Sequence, residues 1–167
     1  MTAKADFTAA EWERLLEAPV ITGMVISMSS PSLMGSIGES MSMAKTFAAS
    51  LQQAAGNELL TALLADFQNK ETAQLAKPQF DTKDPVQLKQ EMTSRLQIAV
   101  DLLDQKATPE EALGLRQWLY QVATNVATAT KEGGFLGIGA VRVSDAEKAA
   151  LVDLSGIFGV EPVMPTE

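Results

Sequence analysis

The segment Asp84–Ala129, DPVQLKQEMTSRLQIAVDLLDQKATPEEALGLRQWLYQVATNVATA, decides the fold. Asp84 is a helix cap and Pro85 a first helical residue, a position where the missing N–H costs nothing. Leu88, Met92, Leu96, Ala99 and Leu103 then advance by fours and threes, which builds one apolar helix face ending near Gln105. Thr108-Pro109-Glu110-Glu111 restarts the pattern with cap, N1 proline and capping-box acid. The next helix puts Leu115, Leu119, Val122, Val126 and Ala129 on one side, with Trp118 beside them, and Gly133-Gly134 ends it. Two consecutive amphipathic helices joined by a tight capped turn define a helical bundle.

The same reading extends toward the N-terminus. Thr8-Ala-Ala-Glu11 is a capping box, with Phe7 and Trp12 at the positions of a hydrophobic staple. A first helix is expected from Thr8 to about Glu17, and Pro19 is expected to open a second, from Val20 to about Ser29. Pro31 starts a third, running to about Ala54. Along it Ser32, Ser36, Ser40, Ala44 and Ala48 form a small-residue seam, and Met34, Ile37, Met41, Phe47 and Leu51 a bulkier face. Gly56-Asn57 stops that helix and caps a fourth, with Leu60, Leu63, Leu64 and Phe67 inward. Residues 70–84 lose the pattern and read as a connector, with Phe80 tucked against the bundle.

Toward the C-terminus, Ser144-Asp-Ala-Glu147 is a third capping box. The helix it starts buries Ala150, Leu151, Leu154, Ile157 and Phe158 and stops at Gly159. The tail from about 160 to 167 is rich in proline and expected to fray. Val141-Arg142-Val143 is too short to found a sheet. The expectation is therefore an all-α chain, residues 1–167 forming a single compact bundle of about seven helices.

Composition narrows the chemistry. The 167 residues contain no cysteine and no histidine. That removes thiolate chemistry, the commonest general base and the commonest transition-metal ligand together. A Ser-His-Asp triad is impossible within one chain. Twenty-one acidic against 13 basic residues give a net charge of −8, which repels phosphate backbones and argues against nucleic acid as a partner. The opening MTAKADFTAAEWE carries acids where a signal peptide needs a positive region, so a cytoplasmic location is expected. Residues 18–38 lack charge over a length that could span a bilayer, but Pro19, Pro31, Gly23 and five serines favour a buried helical hairpin. Peripheral membrane contact stays open.

Local motifs yield little catalysis. Ser42-Met-Ala-Lys45 matches the S-x-x-K pattern of serine acyl-enzymes, but lies mid-helix without the companion motifs. Gly134, Gly137 and Gly139 precede a helix start in the manner of a phosphate loop. Phe135, Leu136 and Ile138 between them, and Asp145 and Glu147 in the following first turn, oppose a phosphate. A hard divalent cation is the alternative cofactor, with Asp145 and Glu147 as candidate ligands. Asp101 with Asp104, and Glu110 with Glu111, are further acid pairs. Met24, Met28, Met34, Met41 and Met43 make five of the eight methionines, a composition used in adaptable binding surfaces as well as in cores.

Two blocks, FTAAEWERLLEAPVITGMVI at residues 7–26 and KEGGFLGIGAVRVSDAEKAALVDLSGIFG at 131–159, resemble those of a small uncharacterised bacterial all-α family. More distantly, the helix count and the acids heading the closing helix resemble the TerB-like tellurite-resistance proteins. That resemblance implies a helical bundle with acidic surface sites for metal ions, acting in stress response without enzymatic activity. Of its acidic sites only Asp145 and Glu147 carry over. The residues themselves point to a non-enzymatic interaction module that binds a protein partner or self-associates through an apolar surface. Phe135, Leu136 and Ile138, or Met24, Met28, Met34 and Met41, would form that surface. The alternative is a TerB-like metal-ion-binding stress protein.

Overall fold

The structure, a computed structural model, describes residues 1–29, 54, 56–129 and 143–163. Among these residues there are five α-helices and no strand: α1 (Ala9–Ser29), α2 (Glu58–Gln68), α3 (Pro85–Lys106), α4 (Pro109–Ala129) and α5 (Asp145–Phe158). Short 3₁₀ turns occupy Lys4–Asp6 and Thr72–Gln74. The expected helix at 31–54, with Met34 and Met41, lies outside the described residues except for Ala54. So does the stretch from 130 to 142, with Phe135, Leu136 and Ile138.

The helix starts fall where the caps place them. The Asp84 carboxylate accepts from the N–H groups of Val86 and Gln87, and Asn57 accepts from Leu60. Thr8 and Glu11 make the reciprocal bonds of a capping box, as do Ser144 and Glu147. The Phe7 and Trp12 rings meet at 5.7 Å, so the staple forms. At the far end of α5, Gly159 takes the left-handed conformation at φ 62°, and the N–H of Val160 reaches back to the Ser155 carbonyl.

One boundary departs from expectation. Residues 9–29 form a single helix with Pro19 inside it, where two helices separated at Pro19 were expected. Proline has no N–H to offer the Leu15 carbonyl, and its ring crowds that turn, a cost of about 3 kcal/mol. Leu15, Leu16, Ala18, Ile21, Val25 and Ile26 are all buried around it. Full burial of each large aliphatic contributes roughly 1.5–3 kcal/mol, so the core outweighs the local defect. With the first two expected helices merged into α1 and the third outside the described residues, the described residues account for six of the seven expected helices, as five.

Helix α1 is the axis of the bundle, packing along α3 and α4, while α5 closes over α4, α1 and α3. Helix α2 sits against α4. Asn57, the cap of α2, also donates to the Glu111 carbonyl at 3.1 Å. A Cβ on Gly114 would come within 2.6 Å of that amide, so the glycine permits the approach of α2 to α4. Phe80 packs against the core as expected, and the Arg95 guanidinium lies 4.6 Å above its ring. Among the described residues no helix is long and apolar enough to cross a membrane.

Candidate functional site

The acids marked by the sequence are mostly committed to the fold. Glu111 is buried. Its carboxylate accepts from the Thr2 N–H at 3.0 and 3.1 Å, from the Thr2 hydroxyl at 2.7 Å and from the Thr108 hydroxyl at 2.7 Å. Burial pushes its pKa up, but these bonds from Thr2 and Thr108 overcome that and hold it near 2, below the ordinary 4.5. A carboxylate of that pKa is a poor base near neutrality. Glu110 and Glu111 are therefore not a working pair. Of the other pair, Asp101 accepts from Gln97 at 3.0 Å and Asp104 is ion-paired with Arg116.

Glu11 is similar: the Lys106 ammonium at 2.6 Å, with the Thr8 N–H, holds it near 2. Buried Glu17 receives Arg14 at 3.2 Å and Arg95 at 3.4 Å. Arg95 also donates to the Gln79 carbonyl at 2.7 Å, which pins the connector across the bundle.

Asp145 and Glu147, the candidate metal ligands, part company. Asp145 is fully exposed, with Lys148 at 3.8 Å. Glu147 turns inward: one oxygen accepts from the Ser144 N–H at 2.7 Å and hydroxyl at 2.8 Å, while the other is buried without a partner. Among the described residues no group of three or more acids comes together to hold a metal ion.

The methionines lead to a different feature. Met24 and Met28 on α1 are half-buried against the core. Met28 also borders a groove of about 1090 Å³ between α1, α3 and α5. Val25 and the fully buried Met92 form its floor, and Ala146, Ala149 and Ile157 of α5 one wall. Pro85 and Val86, the latter 66 % exposed, stand at one end. Across the rim Lys89 pairs with Asp153 at 3.4 Å, linking α3 to α5. Small alanines on the α5 wall leave room, and floor side chains without titratable groups favour occupation by apolar surface.

A second hollow, of about 660 Å³, lies between α4 and the segment after α5. Leu113, Gln117, Gln121 and Thr124 line it, and the buried Tyr120 donates to the Val163 carbonyl at 3.4 Å. Burial raises the phenol's pKa.

Sequence reading found Met28 but not the groove, because its walls come from three helices distant in sequence. The hollow beside α4 had a visible signal: Gln117–Thr128 contains no charged residue. Comparison with protein-family models, curated proteins and solved structures yields no match to this chain.

Proposed function

We propose that this chain is a non-enzymatic interaction module, and that the groove between α1, α3 and α5 seats an amphipathic helix of a protein partner. The observation that carries this reading is the groove itself, floored by Val25 and Met92 and walled by Met28, Ala146, Ala149 and Ile157. A helix is about 10 Å wide with its side chains, and grooves of this kind receive apolar anchors at i, i+3, i+4 and i+7. Methionine on the wall adapts to the shape of the guest. Glu11, Glu17, Asp104 and Glu111 are engaged in caps and ion pairs, which fits a binding role. A part in stress response remains the biological setting suggested by the resemblance.

A photo-crosslinking residue placed at Gln97, on the groove lining, tests the proposal in the cells that make the protein. The expected result is one adduct of defined mass that disappears when Ala149 is changed to lysine and is absent when the crosslinker sits at Thr61. An adduct that survives Ala149→Lys, or forms equally from Thr61, rejects the groove.

One observation favours a second reading, a hard divalent cation at the head of α5: the buried Glu147 oxygen without a partner. Calorimetry with magnesium, calcium and manganese decides it. Heat of binding that is lost in Glu147→Gln supports the site, and no heat at millimolar metal removes it.

A further inference from the structure

The outer face of α4 differs from the outer faces of α2, α3 and α5. Those helices carry Glu58 and Asp66, Lys89 and Asp101, and Asp145 and Asp153. Helix α4 is free of charge from Gln117 through Thr128, although the chain as a whole bears −8. Leu113, Gln117, Gln121, Thr124 and Thr128 form a stripe at helical spacing along the second hollow, with Tyr120 buried beside it. Leu113 is 46 % exposed, and so, at 65 %, is Val163 beside it. Among the described residues, Glu161 at the hollow's edge is the one charged residue lining it.

We propose that this stripe is a self-association surface, paired with the same stripe of a second copy about a twofold axis. Electrostatics points to that occupant. Two copies of a strongly acidic chain repel one another, so they can meet closely only where neither presents charge. A basic partner would be drawn to the acidic surfaces and would gain nothing here. Interface centres are depleted in charge, as this stripe is.

The polar groups are also self-complementary. The Thr124 hydroxyl donates to the Tyr120 carbonyl at 2.9 Å, and the Thr128 hydroxyl to the Thr124 carbonyl at 2.9 Å. Each hydroxyl has thereby spent its one hydrogen within the helix and can offer only lone pairs outward. The glutamine amides supply N–H donors.

The stripe from Leu113 to Thr128 has its midpoint between Tyr120 and Gln121. Antiparallel pairing about that midpoint sets Gln117 opposite the second copy's Thr124, donor facing acceptor. It sets Leu113 opposite Thr128, and Gln121 close to the other copy's Gln121. Each pairing occurs twice, as an isologous interface requires.

Sedimentation equilibrium on the full chain tests the pairing, with wild type, Gln121→Glu, Gln121→Lys and a control, Val152→Glu, on the exposed side of α5. The expected result is a wild-type dimer at about 50 μM, a control that matches it, and each Gln121 variant weakened by at least roughly tenfold. Mixing Gln121→Glu with Gln121→Lys restores a dimer, because opposite charges then meet at the axis. Circular dichroism confirms that every variant is folded. A wild type that is monomeric throughout overturns the proposal. So do Gln121 variants that dimerise as tightly as wild type, or a mixture that is no tighter than its components. The Gln97 crosslink probes a different face, so either surface can fail without the other.

Discussion

The head of α4 and the groove between α1, α3 and α5 are opposite kinds of place. At the head of α4 the buried carboxylate is fully used: Glu111 takes bonds from Thr2 and Thr108 and is buried among them. In the groove nothing titrates along the floor, and Val86, Ala146 and Ala149 on its rim stand exposed to solvent. The first place holds the molecule together. The second has its bonding capacity left over, and the proposed function rests on that contrast.

The largest effect is expected where bonding is complete. Glu111→Ala leaves the Thr2 and Thr108 donors without an acceptor and should lower stability by about 2–3 kcal/mol, read from urea unfolding. A loss under about 0.5 kcal/mol would show the Thr2–Glu111 knot to be ornamental.

The same carboxylate sets an acid dependence. Its folded pKa near 2 lies below the ordinary 4.5, so the stability it contributes is present above pH 4.5 and drains as pH falls toward 2. Urea midpoints between pH 6 and pH 2 should fall less steeply in Glu111→Gln than in wild type. Parallel curves would assign the acid sensitivity to other groups, Glu11 among them.

A smaller effect is expected at Gly159. Its φ of 62° is left-handed, and alanine there should cost about 1–2 kcal/mol in thermal or urea unfolding. Smallest of all is Ala149→Lys. Ala149 is exposed on the groove wall, so its replacement should leave stability within about 0.5 kcal/mol while removing partner binding. If Ala149→Lys unfolds the chain, the wall belongs to the core and the contrast between head and groove collapses.

The helical class and most helix heads were legible in the sequence because caps are local: Asp84, Asn57, Thr8 and Ser144 act on N–H groups two or three residues away. The continuity of α1 through Pro19 was not legible, since it depends on burial against α3 and α4. The Glu111 knot was half legible. Its capping box with Thr108 is in the sequence, but its partner Thr2 lies 109 residues away. The groove was the least legible feature, since Met28, Met92 and Ala149 become neighbours only after three helices pack. The uncharged run on α4 was open to view, but its meaning depends on knowing which side of the helix faces outward.

The most direct measurement of the central claim is a methionine ε-methyl NMR titration with the partner captured through Gln97. Met28 on the wall and Met92 on the floor report the groove, and the exposed Met1 reports a remote surface. The expected result is saturable shifts of Met28 and Met92, absent in Ala149→Lys, with Met1 unmoved. Saturation with Met28 and Met92 unchanged would contradict the groove as the binding site.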